Sequence, residues 1–329
     1  MNLLLPLQLI VFFVIPLLAP RPAAAPAYAA EELTVAELHQ ALIRPAGRLA
    51  AVPGLPSALP RREPWKKDPR DLGVVVSASG AMVLDRDSGA VLFAKDADSE
   101  RPVASLTKLM TALVFLDTSP DLSKTIEIDP SDHRSGSIEY FISGEKVTLN
   151  DLLHASLVGS SNTATIALAR STGLAPEEFV KKMNEKARAI GMSNAVFVEP
   201  TGLEEGNRGS ASEIAILASA AFANPVIAEA ATTGVYTFAP IDAKLKTRRA
   251  IKSTDLLLNS LLNQGNYKIA GAKTGTLGEE TGYHLAVAVK NSENRSLLTV
   301  VLGSESNQAR FQDAKALTYW AFDSYEWPR

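Results

Sequence analysis

The sequence predicts an α/β protein of the α+β type: one antiparallel sheet built from both ends of the domain and packed by a helical cluster. Three observations predict it. "GVVVSASGAMVLDRDSGAVLFAKD", residues 73–96, reads as two apolar strands separated by the turn signal "DRDSG", a hairpin signature. The C-terminal part returns to strands and loops in "YKIAGAKTGTL", "GYHLAVAVKN" and "RSLLTVVLGS". Between these regions the apolar residues recur at helical spacing. Strands at both ends with helices between them place one sheet under a helical cover.

The elements follow in chain order. "MNLLLPLQLIVFFVIPLLAP" opens the chain with an apolar run, and Ala27-Tyr28-Ala29 has the small-x-small form of a signal-peptidase site. Residues 1–29 therefore read as a secretory signal, although the start carries no Lys or Arg. An uncleaved anchor is the competing reading. An apolar core of about 16 residues is short for a span, and Pro6 and Pro16 oppose one continuous helix. Either reading takes the protein out of the cytoplasm, to a periplasm or the cell exterior. Residues 30–72 read as an extension. A short amphipathic helix begins at the capping pair Thr34 and Glu37, and a proline-rich, charged linker without a core follows it. The folded domain is expected over 73–329.

After the hairpin, "RPVASLTKLMTALVFLD" (101–117) is a helix by its period. "GEKVTLNDLLHASLVGSSNTATIALARSTG" gives two short helices broken around Gly159-Ser160-Ser161. "APEEFVKKMNEKARAIGM" is a helix stopped at Gly191, and "SASEIAILASAAFANP" is another, ended by Pro225. The last helix is "QARFQDAKALTYWAFDSYEW".

Composition narrows the chemistry. The 329 residues carry a net charge of −3, with a pI near 5.9 and no basic footprint for nucleic acid. The absence of cysteine excludes disulfides, thiolate metal sites and cysteine nucleophiles. His39, His133, His154 and His284 are scattered, without a Gly-x-Ser-x-Gly elbow or a His-Glu-x-x-His metal motif. No metal or cofactor is called for. His154, on a helix face, reads as a structural histidine.

What remains is Ser105 and Lys108. A serine hydroxyl is a poor nucleophile until a base takes its proton, and residues i and i+3 of a helix share a face. The lysine must be neutral to serve, so its site must lower its pKa, by burial and by a second positive charge. The pattern alone is weak, since about one Ser-x-x-Lys is expected by chance at this length. A second one, Ser143 to Lys146, reads as surface loop. Two further motifs change the weight: Ser160-x-Asn162 at a helix break, and Lys273-Thr274-Gly275 on a strand. Another Ser-x-Asn, Ser292 to Asn294, falls in a polar loop between strands.

The three motifs in this order resemble those of the penicillin-recognising serine peptidases. The chain is most similar to the low-molecular-mass D-alanyl-D-alanine carboxypeptidase and endopeptidase family. The similarity extends from about Ser79 to Trp320 through flanks such as "DRDSGAVLFAKDAD", "GEKVTLNDLLHASL" and "FVEPTGL". It implies a β-lactamase/D,D-peptidase-like fold and an enzyme that attacks peptidoglycan peptides and is acylated by β-lactams. Ser105 would be the nucleophile and Lys108 its base. Ser160 and Lys273 would pass the proton to the leaving amine, and Asn162 would bond the substrate's peptide carbonyl. The amides of Ser105 and Thr276 would form the oxyanion hole. The strand through Gly275 would align the peptide, with Thr274, Thr276 and Arg310 binding a terminal carboxylate; a solvated helix-start arginine is the plainer reading of Arg310. Thr163 departs from the acidic residue usual after Ser-x-Asn. Membrane association is expected only through the N-terminal segment. A serine β-lactamase and a catalytically idle cell-wall scaffold are the rivals. Glu177 and Glu178, the only carboxylates placed to be a lactamase's second base, read as first-turn helix residues.

Overall fold

A computed structural model of the chain describes residues 63–241 and 247–328. The signal or anchor at 1–29 and the extension up to residue 62 lie outside the described residues.

The hairpin forms where the turn signal puts it. Strands β1 (Gly80–Asp85) and β2 (Val91–Lys95) pair antiparallel, and the Asp85 carboxylate closes the turn on the Ser88 amide. Three long strands follow much later: β3 (Tyr267–Thr276), β4 (Tyr283–Asn291) and β5 (Ser296–Ser304). The order across the sheet is β3-β4-β5-β1-β2, all antiparallel. Val300 sits opposite Met82, so the two ends of the domain meet inside one sheet, as expected. Among the described residues, β3 is an edge strand whose outer side carries no partner strand.

Both faces of the sheet are covered, which is why β4 and β5 read as continuous apolar runs instead of alternating. On one face Ala286, Ala288, Leu298 and Val300 join the core of the helical cluster. On the other, Leu285, Val287, Val289 and Val301 pack under the last helix, against Phe311, Ala314 and Leu317. The helices are α1 (Thr107–Asp117), α2 (Leu149–Leu157), α3 (Asn162–Ser171), α4 (Pro176–Ile190), α5 (Ala211–Ala223), α6 (Pro225–Thr232) and α7 (Asn307–Ser324). α1 is buried from Thr107 to Phe115, including its lysine, and is the central helix of the cluster. α4 opens with Pro176, Glu177 and Glu178 and stops at Gly191, whose φ of 99° is the left-handed conformation a glycine cap supplies.

Three details differ from the sequence reading. Ser105 precedes α1 in a one-turn 3-10 segment, Ala104–Leu106, entered through a left-handed Ala104. Pro225 ends α5 and also starts α6, because a proline at the first helical position forfeits no hydrogen bond; Asn224 caps the new helix. The packed structure also includes residues ahead of Gly73. Trp65–Lys66 pairs with Tyr325–Glu326, and Asp71 accepts bonds from the Trp320 indole and the Ser324 hydroxyl. The charged, proline-rich composition of this stretch hid its partners, which lie at the opposite end of the sequence.

Candidate active site

Three elements converge on one point. The Ala104–Leu106 turn and the first turn of α1 bring Ser105 and Lys108. The break between α2 and α3 brings Ser160 and Asn162. The free edge of β3 brings Lys273, Thr274 and Gly275.

Lys108 is fully buried, and its Nζ lies 2.9 Å from Ser105 Oγ, 2.7 Å from Asn162 Oδ1 and 2.6 Å from the Thr201 carbonyl. These three contacts suit a neutral amine. Its two hydrogens go to Asn162 and Thr201, and its lone pair accepts the Ser105 hydroxyl. Burial pushes the Lys108 pKa down to about 7, and the Glu199 charge works in the opposite direction. A base so poised is charged and neutral in comparable amounts near neutral pH, which suits general-base catalysis.

Lys273, 1% exposed, donates to Ser160 Oγ and to the Thr274 carbonyl, both at 2.9 Å. Burial holds its pKa well below the ordinary value, with Lys108 and Arg310 adding repulsion and Asp255 opposing them. The expected electrostatic help from Lys273 to Lys108 therefore takes another form. Burial is what depresses Lys108, and the repulsion between the two ammoniums falls on Lys273.

Local backbone geometry fixes these side chains. Ser160 has a φ of 55°, rare for a residue with a Cβ and common at functional sites. Ser161 caps α3 through the Ala164 amide, and Asn162 is held by the Ser137 hydroxyl and the Ser135 carbonyl. One of the two Asn162 N–H bonds is thereby used, leaving the other for a substrate carbonyl. At Gly275 an added Cβ would lie 3.2 Å from the Ser105 amide, so β3 passes directly beside the Ser105 backbone. That closeness sets the Ser105 amide beside the end of β3, where Thr276 lies.

The substrate-side residues are placed less uniformly. Thr274 Oγ1 lies 2.6 Å from Thr254 Oγ1, and Thr276 bonds the Gly282 carbonyl across the β3–β4 turn. Arg310 is neither solvated nor presented in the open cleft. It is 6% exposed and lies behind the strand, donating to the carbonyls of Gly275 at 3.1 Å and His284 at 3.4 Å. Burial lowers its pKa to about 10.

The remaining sequence candidates fall where they were read. Ser143 is exposed and meets His133 on the surface, and Ser292 lies in the turn between β4 and β5. His154 is buried, bonded to the Asn150 carbonyl and stacked on Tyr236. Among the described residues no cluster of His, Asp or Glu could hold a metal ion.

The sequence reading missed the segment Glu199–Asn207. Its Thr201 carbonyl is a direct partner of Lys108, and Gly202 lies against the Ala104 carbonyl so tightly that a Cβ would sit 1.9 Å from it. The only sequence signal was the "EPTGL" run itself, whose Glu and Gly suggest a capped turn without saying what the turn touches. A cavity of about 610 Å³ lies behind this segment, away from Ser105, bordered by Arg170, Phe179, Glu199 and Leu203.

A serine hydroxyl held against a buried, neutral-capable lysine on an α+β frame defines a serine hydrolase that uses lysine where others use histidine. The chain belongs to the D-alanyl-D-alanine carboxypeptidase family, which it matches over residues 67–306. It is 32% identical over 248 residues to a D-alanyl-D-alanine endopeptidase of Pseudomonas aeruginosa, covering 74% of this chain and 77% of that one. It is 31% identical to a D-alanyl-D-alanine carboxypeptidase of Bacillus subtilis, covering 76% of this chain and 63% of the relative. The crystal structure of the Streptomyces K15 DD-transpeptidase superposes with a TM-score of 0.71 at 27% identity, over 76% of this chain and 99% of that one. The protein is a serine-type D-Ala-D-Ala peptidase of the penicillin-binding kind.

Proposed function

We propose that the protein cleaves the D,D-bond of peptidoglycan stem peptides and that the cross-link between two stems is its preferred bond. The observation that carries the catalytic reading is the Lys108 amine, buried and 2.9 Å from Ser105 Oγ. Ser105 attacks the D-alanyl carbonyl as Lys108 takes its proton, and the oxyanion rests on the Ser105 and Thr276 amides. The proton taken by Lys108 is relayed through Ser160 and Lys273 to the leaving amine, which departs, leaves an ester on Ser105 and returns Lys108 to its neutral form. Water then hydrolyses that ester, with Lys108 again as base. Asn162 and the free edge of β3 hold the peptide, the latter as an added strand. A β-lactam would enter the same path and stop at the ester.

The preference for the cross-link rests on Arg310. Its guanidinium is buried, with its Nη groups donating to the Gly275 and His284 carbonyls and to Asn307 Oδ1, so these donors support the strand in place of a free terminal carboxylate. Digestion of purified muropeptides tests the preference. Loss of cross-linked dimers ahead of D-alanine release is expected; release of D-alanine with dimers intact would reverse it.

We also propose that the enzyme works outside the cytoplasm, since its substrate class lies there and residues 1–29 have the form of a signal. Mass spectrometry of the mature N-terminus checks this: a start at Ala30 is expected. No single described helix is long and apolar enough to cross a membrane.

A further inference from the structure

We propose that Glu199 is a positioning residue: it ties the Pro200–Leu203 turn against the start of α1 and supplies the negative charge that governs when Lys108 gives up its proton.

The carboxylate is spent inside the turn. Its Oε2 accepts the Thr201 amide and the Thr201 hydroxyl, both at 2.6 Å. Its Oε1 accepts the Leu203 amide at 2.9 Å, together with the Gly202 amide and the Asn207 side-chain amide. Asn207 is fully buried and in turn accepts the Val198 amide at 2.8 Å, so both ends of the segment close on one carboxylate. Among the described residues no lysine or arginine pairs with Glu199. Its formal charge is therefore met by neutral donors alone, which bond it without cancelling it.

That charge lies one peptide away from the catalytic amine. Thr201, whose amide is held by Glu199, turns its carbonyl to Lys108 Nζ at 2.6 Å. Gly202, with a φ of 85°, packs on the Ala104 carbonyl immediately before the nucleophile. Thus one side chain fixes both the acceptor for Lys108 and the backbone beside Ser105. The groups facing Lys108 are Ser105 from the preceding turn, Asn162 from α3, Lys273 from β3 and the Glu199 segment. Only Lys273 and Glu199 among them are ionisable, and Glu199 alone favours the charged amine. Burial by itself drives the proton off Lys108, and a base driven too far down is weak. Glu199 opposes that drift.

This inference rests on Lys108 being the base for Ser105, and the test separates the two. The second-order rate of acylation by a fluorescent penicillin is measured against pH for the full chain and its variants at low salt. In Glu199→Gln the acid limb of the profile moves to lower pH by about one unit, the size expected for one nearby half-buried charge. In Glu199→Asp, which keeps the charge and shortens the reach, the rate falls but the limb stays within a few tenths of a unit. A limb that stays or rises in Glu199→Gln overturns the proposal, as does a limb that moves equally in both variants. If Glu199→Gln does not fold, Val198→Lys decides. It places a cation on an exposed position beside Glu199 and lowers the limb by about a few tenths of a unit; an unmoved limb overturns the proposal. Failure of the intact protein to label at all counts against the peptidase reading instead.

Discussion

At the scale of single residues, Lys108 carries both the proposed base role and a cost in stability. Unfolded, its ammonium titrates near the ordinary lysine value of about 10.4, whereas burial brings it to about 7 in the folded chain. Between those values the unfolded chain binds the extra proton, so this group makes stability rise with pH across the window. Below pH 7 both states hold the proton and the penalty is complete. Lys108→Met is therefore expected to melt higher than the parent at pH 6, with the advantage shrinking toward pH 10, while acylation is lost; thermal melts at several pH values check it. For the parent, the acylation rate should rise through pH 7 as Lys108 becomes neutral. A profile flat from pH 5 to pH 9 would remove Lys108 from the base role. The convergence of Ser105, Lys108, Ser160, Asn162 and Lys273 on one point was legible because motifs fix residue type and order. The setting of Arg310 was not, since nothing around position 310 in the sequence marks the Gly275 and His284 carbonyls as its partners. Glu199 was hidden for a related reason: a turn's hydrogen bonds depend on backbone angles that the residue string does not state.

At the scale of elements, most boundaries were legible where a local rule sets them. α4 is bounded by Pro176 and Gly191, and α2 and α3 are separated where Gly159-Ser160-Ser161 interrupts the apolar period. Pro225 misled because the same residue that stops one helix can start the next. Two element-level contacts set measurable costs. Gly202 combines a positive φ with a backbone neighbour at 1.9 Å from any Cβ, so Gly202→Ala must displace the turn or the start of α1. A loss of about 2 kcal/mol or more in urea unfolding is expected, with slower acylation. At the other side of the sheet, the Asp313 carboxylate on α7 accepts the amides of Ser77 and Ala78 and the hydroxyls of Ser77 and Ser304. It pins α7 to both ends of the domain at once. Asp313→Ala leaves several buried donors unmatched and should cost about 2–4 kcal/mol in the same measurement.

At the scale of the whole molecule, the sheet brings sequence-distant halves together, and the active site depends on that union. Ser105 and Lys108 follow directly from the N-terminal hairpin, while Lys273 comes from a strand that reaches them only because β5 pairs with β1. The fold class was legible because strand signals occur at both ends with helices between. The order β3-β4-β5-β1-β2 and the free edge of β3 were not, since strand pairing is a long-range choice that local patterning leaves open. The packing of Trp65–Asp71 against the C-terminal end was hidden for the same reason. The account as a whole stands on one covalent bond. Intact-mass and peptide mass spectrometry after incubation with benzylpenicillin tests it most directly. One added penicillin per chain is predicted, on the peptide containing Ser105 and absent from Ser105→Ala; an unmodified protein, or an adduct that persists in Ser105→Ala or maps to Ser143, would contradict it.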